Sequence, residues 1–381
     1  MMNNNGSGST LVQPLERKAR LPGVELLRII TMLMILTSHF FVHGSVLGKL
    51  SPGSPYFYIC WTIEAFCYVM VNCYALITGY FQSRSEFKLK KLLLLWGQII
   101  FISAAAYLIL AAVGKVEFSW SAFSRAALPV VMQRYWFATA YVILYAISPL
   151  LNFVIRRMNK REFTICVAVL FGIFVLFRNL FYWSDFANLH GGYSWVSLAV
   201  LYMIGAYIRI YKPVIRHPLL MYSLLSLITA LSRIVLTILW YRFEFDTVYL
   251  KALMQYNSVT VVAASVCLFY FFLNLELRNR AVLWLIGFFS PATFGVYLIH
   301  EQIEVKSIIW KLIAPAKYIG TPYLLLYLAA VVLGLFTVCA IMDRLRGALS
   351  AVLRIPLLFG RAADAISRLV KAVFDRLSGS C

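Results

Sequence analysis

The first long apolar segment of the chain contains two side chains that can do chemistry, Arg28 and His39. Residues eleven apart on an α-helix are offset by about 20° after three turns, so both are expected on one helix face, roughly 16 Å apart along the axis. A guanidinium binds phosphate or carboxylate, and a neutral imidazole accepts a proton. The pair therefore indicates a transfer path. The alternative is that Arg28 anchors the helix at the interface and His39 is a hydrogen-bonded packing residue.

Other ionisable side chains also lie within apolar segments, where each costs about 2.5–3.5 kcal/mol at mid-bilayer by insertion scales. Glu64 is a candidate substrate-binding residue that could pair with an arginine or a histidine. Structural ion pairing is the favoured interpretation of Arg178 and Arg233. His39 and His43 are spaced i, i+4, but neither an HExxH motif nor a further ligand set accompanies them, so the sequence predicts no metal site.

The elements that position these residues are predicted to be transmembrane helices. Of the 381 residues, 62% are hydrophobic and 13% are charged, whereas soluble domains carry about 25% charged residues. A chain of this composition indicates an all-α, polytopic membrane bundle of about ten helices, because backbone groups in lipid must be satisfied within each segment. The predicted spans are 22–43, 57–80, 92–113, 135–155, 163–181, 193–211, 218–240, 252–275, 281–299 and 322–342. The short segment 126–133 is interpreted as interfacial or re-entrant.

The distribution of Lys and Arg predicts the orientation of the bundle. Far more of the basic residues outside the predicted spans lie on the side of the N-terminus than on the opposite side. The positive-inside rule then places both termini in the cytoplasm. This pattern also accounts for the net charge of +20 without a phosphate-binding face. The lipid bilayer is therefore an expected partner and nucleic acid is not.

Three regions follow from this organisation. Residues 1–21 are predicted to be a flexible cytoplasmic tail, and residues 22–342 form the ten-helix domain. Residues 343–381 alternate apolar and basic positions in the manner of an amphipathic helix on an anionic leaflet, broken near Pro356. The alternative for this last region is a solvated basic tail.

Four segments together resemble a known family. They are RIITMLMILTSH (28–39), VNCYALITGYF (71–81), RYWFATAYVILYAISPLLN (134–152) and SPATFGVYLIH (290–300). In this order they are similar to membrane acyltransferase family 3, and the third segment is close to its polysaccharide O-acetyltransferase branch. The resemblance spans the predicted helices from the first to the tenth.

The resemblance implies an enzyme of the bacterial inner membrane that takes an acyl group, usually acetyl, from cytoplasmic acetyl-CoA or another acyl-CoA. The acceptor would be a hydroxyl of a cell-surface glycan or its lipid-linked precursor. His39 would deprotonate the acceptor or carry the acyl group transiently. Arg28 would orient a phosphate of coenzyme A or stabilise developing charge. Acyl-CoA is then a donor substrate, no tightly bound cofactor is expected, and a homo-oligomer is left open.

The donor-binding loop departs from the family pattern. Many members carry arginine, two residues and arginine after the second helix, and the nearest match here is Lys88 and Lys91, preceded by Arg84. Lysine binds phosphate as a point charge but lacks the bidentate fork of arginine. These three residues are candidates for binding coenzyme A. The alternative is a routine cluster of cytoplasmic basic residues.

Four further residues are candidates for binding the substrate, and one of them, His300, lies near the outer end of its predicted helix. Tyr135 and Trp136 of the third matched segment and His300 of the fourth are candidates for substrate binding, together with Glu64. A secondary transporter or exporter of a polysaccharide-related or acyl substrate is the alternative function. Against it, the sequence shows no convincing inverted repeat and no paired broken helices.

Overall fold

The computed structural model of the protein describes residues 21–181, 183–185, 187–244 and 253–378. Over these residues the chain is helical and contains no β-strand, which confirms the predicted all-α class. Nearly all of the predicted flexible tail, residues 1–20, lies outside the described residues. The helices are α1 Pro22–Val42, α2 Pro55–Cys67, α3 Met70–Gln82, α4 Leu89–Ala112, α5 Trp120–Ala127, α6 Trp136–Arg157, α7 Lys160–Phe171, α8 Arg178–Leu180, α9 Trp195–Tyr211, α10 Pro218–Phe243, α11 Val259–Leu273, α12 Arg280–Phe289, α13 Thr293–His300, α14 Ile303–Ile313, α15 Leu324–Val352 and α16 Ile355–Ser378.

Within the described residues, eight helical stretches are long and apolar enough to cross a membrane. The two other predicted spans, 193–211 and 252–275, contain the shorter apolar helices α9 and α11, of 17 and 15 residues. At 1.5 Å per residue these helices reach roughly 22–26 Å, less than the 30 Å or so of a bilayer core. The multi-pass membrane architecture is therefore supported, while the number ten and the orientation stay predictions.

Two of the predicted spans are interrupted helices. The span predicted over 57–80 is divided between α2 and α3 at Tyr68 and Val69. The span predicted over 281–299 is divided between α12 and α13 by a 3₁₀ turn at Ser290–Ala292, where Pro291 cannot donate a helical hydrogen bond. Broken helices expose backbone groups, which membrane proteins tolerate where the break is buried in protein or lines a cavity. The sequence showed no paired broken helices, so these two interruptions correct that expectation and remove it as an argument against a transporter.

Helix α1 lies at the centre of the bundle. It packs against α2, α3, α11, α12, α13 and α15. Its side chains Leu27, Leu36 and Phe40 are fully buried by these neighbours. A helix enclosed on this many sides holds its polar side chains inside protein rather than against lipid.

Helices α3 and α9 approach each other closely at two glycines. A Cβ atom at Gly79 would collide with the carbonyl oxygen of Tyr202, and one at Gly205 would collide with that of Leu76. Small residues at such positions let two backbones touch, which is a main source of helix association in membranes. This contact fixes α3, and α3 in turn packs against α1.

The C-terminal region forms two helices. Helix α15 continues past residue 342 to Val352, so the predicted boundary at 343 falls within a helix. A break follows at Arg354, whose φ of 53° is left-handed, and α16 begins at Ile355 with Pro356 in its first turn. The break lies where the sequence predicted it. Helix α16 packs on α4; its binding to a membrane surface stays a prediction.

Candidate active site

A contact between two histidines forms the centre of the site. His39 lies in the last turn of α1, and His300 is the last residue of α13. The Nδ1 atom of His39 is 3.0 Å from Nε2 of His300, and Nδ1 of His300 is 2.6 Å from the carbonyl oxygen of Val296. A carbonyl only accepts hydrogen bonds, so His300 carries its proton on Nδ1 and, when neutral, accepts on Nε2. His39 must then donate from Nδ1, which leaves its Nε2 unprotonated and basic.

A carboxylate borders this histidine pair. Oε1 of Glu301 is 3.3 Å from Nδ1 of His39 and 3.0 Å from Nε2 of His43, while Oε2 is 3.2 Å from Nζ of Lys306. Burial by itself would raise the pKa of the Glu301 carboxyl, but the histidines around it together hold that pKa well below its usual range. The result is an ionised carboxylate beside the ring of His39, placed to stabilise a positive charge that forms there.

Glu301 and Lys306 are residues of the site that the sequence did not reveal. Glu301 directly follows His300 at the end of a predicted span. This adjacency was the one feature of the sequence that could have pointed to Glu301 as a site residue. Lys306 lies a turn into α14. Gln302 is the residue that caps the start of this helix, because its side chain accepts a hydrogen bond from the backbone N–H of Val305. The short connection between α13 and α14 is what returns Lys306 to the carboxylate.

A cavity of about 240 Å³ opens beside His39. Besides the polar groups of the cluster, it is lined by aromatic rings, including Tyr74, Trp136, Phe137, Tyr193, Tyr256 and Tyr297. Trp136, a predicted substrate-binding residue, is therefore at the cavity. Tyr135 is not among the lining residues. Its ring is buried and packs 6.1 Å from that of Tyr297, so a role for it in substrate binding stays a prediction.

Arg28 lines a different cavity, of about 260 Å³, at the other end of α1. Lys91 is the second basic side chain of this cavity. Lys88 is not among the lining residues; its backbone oxygen accepts a hydrogen bond of 3.4 Å from the hydroxyl of Tyr145, which does line this cavity. Arg84 is exposed and is not among the lining residues. Of the three candidate donor-binding residues, the structure thus brings Lys91 together with Arg28.

A layer of aromatic rings separates the two cavities, which share no lining residue. Tyr141 lines the Arg28 cavity, and its ring stacks 5.8 Å from Phe137 and lies 6.2 Å from Phe294, both of which line the His39 cavity. Tyr74 lies on the His39 side, and its hydroxyl donates a 2.7 Å hydrogen bond to the backbone oxygen of Arg28. We call these four residues the aromatic layer. They interrupt the path that the spacing of Arg28 and His39 suggested.

The other buried charged groups have specific partners. Oε1 of Glu64 accepts a 2.6 Å hydrogen bond from the hydroxyl of Ser38, the residue before His39. Among the described residues, Glu64 has neither of the ion pairs, with arginine or histidine, that the sequence suggested. Nε of Arg178 is 3.6 Å from a carboxylate oxygen of Asp185, in agreement with structural ion pairing. The guanidinium of Arg233 lies 4.3 Å above the ring of Trp61.

The histidine cluster also has the composition of a metal site. Ligand atoms of His39, His300 and Glu301 all lie within 4.8 Å of one another. Two imidazoles and a carboxylate are a donor set that suits zinc, so the structure supplies the further ligands that the sequence did not reveal. The hydrogen bond between His39 and His300 and the ion pair between His39 and Glu301 also account for this spacing without a metal. The absence of a metal therefore stays a prediction.

Comparison with known proteins identifies the family. The family model described as an acyltransferase domain matches residues 21–343, which include every helix that contributes to the two cavities described so far. A search of curated proteins returns no significant match, and neither does a search of solved structures. The family match covers most of the chain, so the chain belongs to the acyltransferase 3 family.

Proposed function

We propose that the protein is a membrane O-acyltransferase that moves an acyl group, with acetyl favoured, from a cytoplasmic acyl-CoA to a hydroxyl of a cell-surface glycan or its lipid-linked precursor. The membership in an acyltransferase family supports the class of reaction. The observation that carries the proposal is the arrangement around His39, whose Nδ1 is engaged by His300 and whose ring lines a cavity.

In the proposed reaction, His39 is the general base. Its Nε2 takes the proton of the acceptor hydroxyl while the hydroxyl oxygen attacks the thioester carbonyl carbon. A carbon–oxygen bond forms and the carbon–sulfur bond breaks. The thiolate of coenzyme A then takes the proton back from the imidazolium of His39. The carboxylate of Glu301, 3.3 Å from Nδ1, stabilises the imidazolium between these two proton transfers.

The donor is proposed to enter at the Arg28 cavity. Arg28 and Lys91 supply positive charge there for the phosphates of coenzyme A. If the basic loops face the cytoplasm, this cavity opens on the side where acyl-CoA is made. The pantetheine arm separates the phosphates from the thioester. A donor held by Arg28 could therefore present its thioester toward His39 once the aromatic layer opens.

Purified protein in nanodiscs tests this proposal, because both faces of the membrane are then accessible. The donor is [¹⁴C]acetyl-CoA, and the acceptor is the lipid-linked glycan extract of the host membranes. We expect label to move to the glycan with the wild type and not with His39→Ala, because a general base contributes about 10²–10⁴-fold in rate. His217→Asn is the matched control, since His217 is exposed at the start of α10 and lines neither cavity.

The result that would overturn the proposal is equal labelling of the glycan by wild type and His39→Ala. Absence of transfer by the wild type with both acetyl-CoA and succinyl-CoA would also overturn it. Vesicle uptake of an acetylated glycan in that case would favour the transporter alternative.

A further inference from the structure

A third cavity, of about 560 Å³, lies beside the His39 cavity and has no part in the steps proposed so far. The two cavities share the lining residues Val42 and Tyr193. Val42 ends α1 and Leu47 follows it, so this third cavity lies in the half of the bundle away from Arg28. Its volume is within the range of small-molecule sites, about 300–1,000 Å³. We call it the outer cavity.

The outer cavity contains a carboxylate with unused hydrogen-bonding capacity. Glu64 is 1% exposed and lines this cavity. Its Oε1 accepts from Ser38, whereas Oε2 is buried and has no hydrogen-bond partner among the described residues. A buried acceptor of this kind is costly unless something pairs with it. Ser38 lines the His39 cavity, so the same hydrogen bond joins Glu64 to the residue next to the proposed base.

Aromatic rings form the boundary between the outer cavity and the His39 cavity. The rings of Tyr68 and Tyr256 stack at 4.9 Å, and Tyr193 lies 4.8 Å from Tyr256 and 4.5 Å from Trp136. Such rings present an apolar face and, in tyrosine and tryptophan, a polar edge. A pyranose ring has the same division, with C–H groups on its faces and hydroxyls at its edge, and is therefore the kind of molecule that this boundary fits.

The polar lining of the outer cavity supplies both donors and acceptors. Two arginines, Arg178 and Arg233, are balanced among the described lining residues by two carboxylates, those of Glu64 and Asp185, and Gln255 adds an amide. A hydroxyl both donates and accepts hydrogen bonds, so a polyhydroxylated molecule suits a lining that combines donors with acceptors. A simple anion would use the arginines and be repelled by the carboxylates.

We propose that the outer cavity binds a sugar unit of the acceptor, with one of its hydroxyls donating a hydrogen bond to Oε2 of Glu64. The sugar then packs against the aromatic boundary, and its reactive hydroxyl extends past Tyr193 and Val42 to Nε2 of His39. Glu64 is thus a residue that binds the acceptor and takes no part in binding the donor. This inference rests on the proposed acyl transfer to a glycan and adds the place where the acceptor is held.

Steady-state kinetics of the full-length protein in nanodiscs test this assignment, with acetyl-CoA as donor and the lipid-linked glycan extract of host membranes as acceptor. We expect Glu64→Gln to raise the apparent KM for the extract about tenfold or more, as loss of a hydrogen bond to a charged group does. The KM for acetyl-CoA should not change. Gln255→Ala, at a lining residue that has no part in the hydrogen bond between Ser38 and Glu64, should shift the same constant in the same direction, which guards against a folding defect in the first variant.

Thr62→Val is the matched control, because Thr62 lies on the same helix as Glu64, does not line the outer cavity and, within the part of the chain that the structure describes, bonds only to the backbone oxygen of Tyr58. Its constants should equal those of the wild type. Transfer by the wild type with unchanged acceptor KM in both Glu64→Gln and Gln255→Ala would overturn the assignment and leave the proposed reaction intact. A rise in the KM for acetyl-CoA alone would also overturn it, since the cavity would then hold the donor. Absence of any transfer by the wild type would instead refute the proposed reaction itself.

Discussion

Nδ1 of His39 and Oε1 of Glu301 lie 3.3 Å apart, although the two residues come from the first and the thirteenth helix regions of the chain. The carboxylate is close enough to stabilise an imidazolium, but it is not what fixes the tautomer of His39. That role belongs to His300, whose own tautomer is set by the carbonyl of Val296. In the proposed mechanism, the two functions that a single aspartate combines in a serine-protease triad are therefore divided between two residues.

This division predicts the effect of Glu301→Gln. The substitution removes the charge and keeps the shape, so the imidazolium loses its stabilisation while His300 still accepts from Nδ1. We expect kcat for acyl transfer to fall about ten- to a hundredfold, a smaller loss than for His39→Ala. Glu304→Gln is the control, since Glu304 pairs with Arg134 at 2.6 Å and lies outside the cavity lining. An unchanged kcat in Glu301→Gln would contradict the assigned role.

Arg28 and Lys91 are predicted to act on the donor. Arg28→Ala should raise the KM for acetyl-CoA about ten- to a hundredfold through loss of a charged hydrogen bond to phosphate. Arg28→Lys should restore part of the affinity, because the charge returns without the fork geometry. Lys91→Ala should raise the same constant, whereas Arg84→Ala should not, since Arg84 is not among the residues that line this cavity. Equal effects of Lys91→Ala and Arg84→Ala would indicate a general electrostatic contribution of the loop.

Removal of metal ions tests the histidine cluster directly. The ligand atoms of His39, His300 and Glu301 are close enough to hold an ion, but the proposed mechanism uses His39 as a free base. Acyl transfer should therefore be unchanged after dialysis against EDTA and 1,10-phenanthroline, and elemental analysis should find no stoichiometric zinc. Loss of activity that returns on addition of Zn²⁺ would show that the cluster binds a metal.

The contact between α3 and α9 predicts a defect in stability. A valine at residue 79 would meet the carbonyl of Tyr202, so the two helices must move apart. Overpacking of this kind costs about 1–3 kcal/mol, and we expect Gly79→Val to lower the midpoint of thermal unfolding and the yield of monodisperse protein. Gly334→Val on α15 is the control, because that position has open space around it. Equal unfolding midpoints for the two variants would contradict the prediction.

The sequence predicted the all-α class, the approximate position of most of the transmembrane segments and the two ends of α1. These features follow from local rules. A run of apolar residues must become a helix in lipid, and an offset of 20° places Arg28 and His39 on one face. The break near Pro356 was also predictable, since proline sets the local backbone. These local rules do not specify which helix packs against a given face of another helix.

The parts of the site that the sequence did not predict depend on how helices pack against one another and on where each helix begins or ends. Glu301 becomes part of the centre because α13 ends beside the last turn of α1. Lys88 and Lys91 are three residues apart and would share a face within one helix, but Lys88 precedes the first turn of α4 and Lys91 lies within it. Tyr135 likewise precedes α6 while Trp136 begins it, and only Trp136 is at the cavity.

The aromatic layer also has a consequence for the energetics of the cell. Two opposed cavities in one bundle would form an aqueous pore if they met, and a pore dissipates the proton gradient across the membrane. The packed rings of Tyr74, Phe137, Tyr141 and Phe294 lie between the two cavities. The thioester and the pantetheine arm that carries it are narrow and uncharged, so in the proposed reaction rotation of one or two rings would admit them while the charged phosphates stay in the Arg28 cavity. The same four side chains that interrupt the path would then let a catalyst be open to both sides of a membrane without acting as a leak.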